Sequence, residues 1–287
     1  MKTFKKNICA PNKTRKRNNT CFTNKNLEMI KDYYNEDPNN TNKINETDSI
    51  KIWKKIKKNI KDCNNEMCWI KQIPDISIQK KLKQQFAPIR PKSWLKNKNE
   101  WLSNYDIEKV LTQYSKIYPN FTFIGPTPID FDKAMYGGCV WDELCKFNLD
   151  EYIKNGKNKI GIIFNLDKHD ESGSHWVSLI VDIKNKYIMF FDSNGITCPP
   201  EICKLMDRII EQAKKMKDPI NLKKIQNQFQ HQYSNTECGM YSLYFIISHV
   251  TETINNLKVS YKKIINHFQK KRIPDDYVFQ LRNKYFN

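Results

Sequence analysis

The chain has no glycine before Gly125 and no histidine before His169. Its first stretch therefore lacks the residue most used for sharp turns and the side chain that titrates near neutral pH. That stretch reads as helical and structural, not catalytic. No apolar run approaches the roughly 18 residues of a membrane-spanning helix, so none is expected. The basic N-terminus, MKTFKKNICAPNKTRKRNNT, has no apolar h-region and is not expected to act as a secretory signal. The sequons at Asn18 and Asn120 then read as products of asparagine richness. There is no Walker A loop, no dinucleotide fingerprint and no His-Glu-x-x-His motif. Cys63 and Cys68 have no second pair or histidine nearby, so neither a metal nor a cofactor is expected.

What is present is charge, apolar mass and thiols. The 287 residues are 39% hydrophobic, enough for a sizeable core, and carry a formal net charge of +18. A balance that basic predicts attraction to polyanions, including non-specific nucleic-acid contact. Lysine-rich composition alone gives the same count. The nine cysteines are odd in number and irregularly spaced. In an intracellular setting they are expected to be free thiols, one of them a candidate nucleophile.

Prolines Pro88 and Pro91 divide the chain into a basic tail with a helical N-terminal domain (residues 1–90) and a second domain (residues 91–287). Residues 1 to about 24 read as flexible. Helices are expected from Leu27 to Tyr34 and from a cap at Asp48 or Ser49, with Ile50, Trp53, Ile56 and Ile60 at helical spacing. Trp94 to Tyr118 reads as one or two helices. A short strand follows at Phe121 to Ile124, then a buried strand at Lys159 to Asn165. A hairpin runs from His175 to Ile183 and from Tyr187 to Phe191. Glu201 to Met216 is an amphipathic helix, Lys223 to Phe229 a candidate strand, and Cys238 to Val250 a central buried helix. The fold class is α+β, a mixed sheet packed against that helix.

A cysteine nucleophile needs a base, a group that holds the base, and donors for the oxyanion. Cys238 opens the apolar helix, where free backbone N–H groups and the dipole favour an anion. Its alternative is a small buried hydrophobe at a helix start. Gly239 leaves room for close approach beside it. His175 opens one strand of the hairpin and Asp192 closes the other, so the turn returns both to one sheet edge. Asp192 can then orient the imidazole, with Asn194 as the alternative orienter. Gln232, six residues before Cys238, offers a side-chain amide to the oxyanion, and its neighbour His231 is the rival base. His169, His249 and His267 read as structural.

The string Gln232-Tyr-Ser-Asn-Thr-Glu-Cys238-Gly239 resembles the Gln-x5-Cys-Gly signature of the Ulp1-like and adenovirus-type cysteine proteases. His175-Trp176 followed by Phe191-Asp192-Ser193 resembles their His-Trp…Asp-Ser element, in the same order. HQYSNTECGMYSLYFI is similar to the polyprotein-processing proteases of large cytoplasmic DNA viruses, of the asfarvirus type. The resemblance covers roughly residues 92–270. It implies a papain-like, Ulp1-like core whose central helix bears the nucleophile, and a thiol protease with Cys238, His175, Asp192 and Gln232 as catalytic residues. It also implies cleavage after Gly-Gly-type sequences, with Trp176 and Trp101 closing a tunnel over the glycines. Ser103 departs from the asparagine frequent in cellular members. The implied function is maturation of viral structural polyproteins, in host cytoplasm and virion if the source is viral and otherwise inside the cell. The alternatives are an isopeptidase acting on SUMO or ubiquitin-like conjugates, and a non-catalytic basic nucleic-acid-binding virion protein.

Overall fold

The computed structural model describes residues 3–11 and 20–287. It divides into two compact units, Met1–Arg90 with Asn283–Asn287, and Pro91–Arg282. The last five residues thus belong with the N-terminal unit rather than with the second domain.

In the N-terminal unit four helices follow one another: α1 (Asn24–Glu36), α2 (Ser49–Asn59), α3 (Glu66–Lys71) and α4 (Ile76–Lys83). A capping box of Thr23 and Asn26 starts α1 three residues before the expected Leu27. Asp48 caps α2 by accepting from the Lys51 amide at 2.9 Å. The inward stripe of α2 is Ile52 and Ile56, while Ile50, expected to face inward, is exposed. The core gathers Leu27, Ile30, Ile52, Ile56, Trp69 and Phe86.

Two expectations about this unit need correction. Among the described residues of the tail, 3–11 are held in place rather than loose. Phe4 packs on Trp53 and Trp69, and Cys9 bridges to Phe86. The Ala10 amide donates to the Gln85 carbonyl at 2.9 Å. These apolar anchors outweigh the basic composition around them. Residues 1–2 and 12–19 lie outside the described residues. The cysteines, expected to be free, pair as Cys9–Cys21, Cys63–Cys68 and Cys139–Cys145, with Cα separations of 5.2, 5.4 and 6.6 Å. Those separations fall within the span a disulfide bridges. Cys198, Cys203 and Cys238 remain as thiols.

The second unit opens with a 3-10 turn at Lys92–Leu95, and α5 (Asn104–Ile117) begins later than the pattern suggested. Ser103 and Asp106 form its capping box, so Trp101 lies in the segment before the helix and is 43% exposed, not a helix core residue. Then come β1 (Phe121–Pro128), a ribbon of β2 (Ala134–Met135) and β3 (Gly138–Cys139), α6 (Asp142–Cys145) and α7 (Leu149–Lys154). The main sheet continues with β4 (Lys159–Asn165), β5 (Trp176–Asp182) and β6 (Tyr187–Phe191). The helix α8 (Pro200–Lys214), strand β7 (Lys223–Gln226) and helix α9 (Cys238–Thr251) follow.

The sheet order is β1-β4-β5-β6-β7, with parallel outer pairs and an antiparallel centre. Alternation along the strands sends residues to two covered faces. Ile162, Leu179 and Phe190 join Ile202, Leu205 and Ile209 of α8 on one side. On the other, Phe191 stacks on Phe245 of α9 at 4.8 Å, and a Cβ on Gly161 would meet Ile246 at 3.0 Å. Every residue of β5 and β6 is buried, which explains their continuous apolar character. Helix α9 is buried from Cys238 to Val250. No helix among the described residues is long and apolar enough to cross a membrane.

Candidate active site

Cys238 is the first residue of α9 and is buried. The residue before it, Glu237, offers no side-chain cap to the helix. Its carboxylate is engaged by Arg282, whose Nε and Nη2 donate at 3.0 and 2.9 Å. The first backbone N–H groups of α9 therefore keep their donor capacity on the side of the cysteine.

His175 precedes β5 and Asp192 follows β6, so the hairpin delivers both to one edge. The imidazole Nε2 lies 2.7 Å from Asp192 Oδ1. That leaves Nδ1 clear of the carboxylate, and Cys238 lies close enough to His175 to act on its charge. Burial alone would push the His175 pKa down. Hydrogen bonds and charge attraction from Asp192 and from Cys238 outweigh it and raise the value to about 10. The arrangement favours an imidazolium next to Cys238. Asp192 is itself fixed. Asn227, fully buried, accepts from the Asp192 amide at 2.9 Å and donates to its carbonyl at 2.7 Å. Asn194 Nδ2 stands 3.5 Å from the same imidazole nitrogen, a weaker contact than that of the carboxylate.

Gln232 is brought against Ser193, the residue after Asp192. Its Oε1 accepts from Ser193 Oγ at 2.8 Å, and its backbone amide donates to the Ser193 carbonyl at 2.9 Å. Its Nε2 donates to the Ser234 carbonyl at 2.6 Å, which leaves one amide hydrogen over. His231, the rival base, is locked elsewhere. It accepts the Ile273 amide on Nδ1 at 3.2 Å and places Nε2 2.9 Å from the Phe268 carbonyl. Burial lowers its pKa. Burial also pushes His249 down to about 3 and His267 to about 4. His169 binds Asp130 at 2.8 Å on the wall of the cleft beside the triad.

That cleft measures about 570 Å³ and is walled by Trp101, Leu102, Trp141, Asn165, His169 and Trp176. Trp176 is 7% exposed and its indole N–H donates to the Leu102 carbonyl at 3.0 Å. Gly239 meets these walls rather than open space. A Cβ there would lie 3.0 Å from Leu102 Cβ and 3.1 Å from Trp176 Cδ1, so Gly239 packs the wall instead of leaving room for close approach. Trp141 was not foreseen from sequence; the only signal was a tryptophan stranded in a glycine-marked loop after Gly137-Gly138. Cys139, Asp142 and Cys145 come together on the surface, where the two sulfurs meet. The larger cavity, about 900 Å³, lies in the N-terminal unit and contains none of these groups.

Residues 153–279 match the profile of the Ulp1 protease family, C-terminal catalytic domain. A thiol protease of Acanthamoeba polyphaga mimivirus is 34% identical over 262 residues, which cover 84% of this chain and 83% of that protein. The chain belongs to the Ulp1 family of cysteine proteases. Proteins of African swine fever virus named SUMO-1 cysteine protease are 26% identical to this protease over 247 residues, 80% of this chain and 85% of theirs. The crystal structure of the African swine fever virus protease superposes on it with a TM-score of 0.67 at 21% identity, covering 99% of this chain and 97% of that one. The shared fold therefore takes in the N-terminal unit as well as the Ulp1-like core. The chain is a cysteine protease acting on protein substrates.

Proposed function

We propose that the protease is a thiol endopeptidase that cuts after Gly-Gly-type sequences and matures structural polyproteins of a large DNA virus, in the host cytoplasm and the virion. In this reading Cys238 is the nucleophile, His175 its base and Asp192 the orienter of the imidazole. The thiolate adds to the carbonyl carbon, and the oxyanion takes hydrogen bonds from the Gln232 amide and the Cys238 backbone N–H. The imidazolium passes its proton to the leaving amine as the C–N bond breaks and a thioester remains. Water then attacks the thioester, His175 takes its proton, and the carboxylic acid leaves as the thiolate returns.

The observation that supports the Gly-Gly preference is the cleft walled by Trp101 and Trp176, the second of which packs on Gly239 next to the nucleophile. A wall of flat indole beside the nucleophile favours a stretch of backbone without side chains and rejects branched residues. A panel of Gly-Gly-X peptides, set beside SUMO and ubiquitin conjugates, with cut sites mapped by mass spectrometry, tests the reading. Cleavage spread over sequences lacking the glycines would overturn it. The African swine fever virus relatives, named SUMO-1 cysteine proteases, favour a second reading, an isopeptidase that removes SUMO-like modifiers. Faster turnover of the conjugates than of the linear peptides would select it.

A further inference from the structure

The cavity of about 900 Å³ in the N-terminal unit has a polarity opposite to that of its surroundings. Residues 1–90 carry 21 Lys/Arg against nine Asp/Glu. Yet the charged residues on the cavity wall are Glu36, Asp37 and Asp62, with Lys61 the one cation among them. All four are exposed at its rim. None of the three carboxylates forms an ion pair among the described residues. The last turn of α1 holds Glu36 and no basic residue, and Asp37 is its C-cap, so the negative end of the helix dipole adds to the same sign. Lys43 caps the α1 carbonyls of Asn35 and Asp37 from outside the wall.

Beneath the rim the wall is aromatic and apolar: Tyr33 and Tyr34 half-buried, Trp69 and Ile73 buried. Trp69 is wholly buried, and its indole N–H has no acceptor among the described residues. A buried N–H of this kind calls for a partner. The Cys63–Cys68 disulfide closes the turn between the two wall segments 59–62 and 69–74.

We propose that this cavity docks a lysine- or arginine-bearing segment of a protein partner. The alkyl stem of such a side chain covers the half-buried Tyr33 and Tyr34 rings while its head meets the carboxylate rim. The carboxylates repel nucleic acid from this one face of a basic unit. The volume is that of a site for several side chains. The proposal does not depend on which bond the protease cuts.

The test uses the full chain carrying Cys238→Ala, so that nothing is cleaved. The probe is a fluorescein-labelled peptide of alternating lysine and leucine, read by anisotropy against its lysine-acetylated form and its glutamate counterpart. The cationic peptide should bind at least about tenfold more tightly than either, the scale expected for three exposed charge pairs acting together. Glu36→Gln, Asp37→Asn and Asp62→Asn combined should remove that margin, while Asp207→Asn with Glu211→Gln on α8 should leave it. If the combined variant melts below the parent, Asp62→Asn alone carries the test. Equal binding of the acetylated peptide, an unchanged rim variant, or displacement by spermine as effective as by unlabelled peptide overturns the proposal.

Discussion

At the scale of single residues, the Cys238, His175 and Asp192 groups act as one unit. Cys238→Ala should leave the fold intact and lower kcat by roughly 10⁶, because removing a triad nucleophile has that effect. Peptide turnover and the labelling order of the three free thiols check it; persistent cleavage by the alanine variant sinks the nucleophile assignment. Asp192 is a subtler case. Its carboxylate, with Cys238, raises the His175 pKa to about 10 against the downward push of burial. A raised pKa means the imidazolium persists through neutral pH and is lost only as the pH climbs towards that value. Asp192→Asn removes the largest raising influence, so the alkaline limb of kcat/KM should move towards neutral pH while turnover falls without vanishing. An unmoved limb would mean that Asn194, 3.5 Å from the same nitrogen, already does the orienting.

At the scale of elements, the start of α9 rests on a contact far away in sequence. Glu237 and Arg282 are both buried, and the guanidinium also lies 4.5 Å over the ring of Trp94. Arg282→Met strips one partner and leaves a buried carboxylate uncompensated, a loss of about 3–5 kcal/mol. For a unit of this size that is a Tm fall of roughly 6–20 °C, and calorimetry of the Arg282→Met chain reads it. A fall of a degree or two would show that Glu237 finds water or the helix dipole instead. The pair was invisible in the sequence because nothing local links positions 45 residues apart. What was legible had local causes. The all-apolar run from Cys238 marked a buried helix, and period and turn residues marked the hairpin that carries His175 and Asp192. The capping box at Ser103 was also written locally, in Ser-x-x-Asp. It was overlooked because the apolar residues on either side, Trp94 to Leu111, could be strung into a longer helix. The disulfides were misread for the opposite reason: spacing says nothing about which chain ends meet, and the pairing of Ile8–Ala10 with Gln85–Ala87 is what draws Cys9 into place.

At the scale of the whole molecule, the charge is the property the catalytic core does not explain. The chain carries +18, and its N-terminal 35 residues hold nine Lys/Arg against two Asp/Glu. A field of that sign should draw the protease towards polyanions such as nucleic acid. Contacts of this kind fall on phosphates, so they should ignore sequence and weaken with salt. On duplex DNA, log K should fall by about 0.9 per log salt for each phosphate neutralised. The measurement compares the full chain with a version lacking residues 1–24, on one duplex, across a salt series. Phe4, which packs on Trp53 and Trp69, goes with the deletion, so a second version keeps residues 1–11 and replaces Lys13, Arg15, Lys16 and Arg17 by glutamine. Both versions should bind more weakly and with a shallower slope. Unchanged affinity and slope in the glutamine version would move the polyanion contact to the lysines of α2, of which Lys51, Lys54, Lys55, Lys57 and Lys58 are exposed.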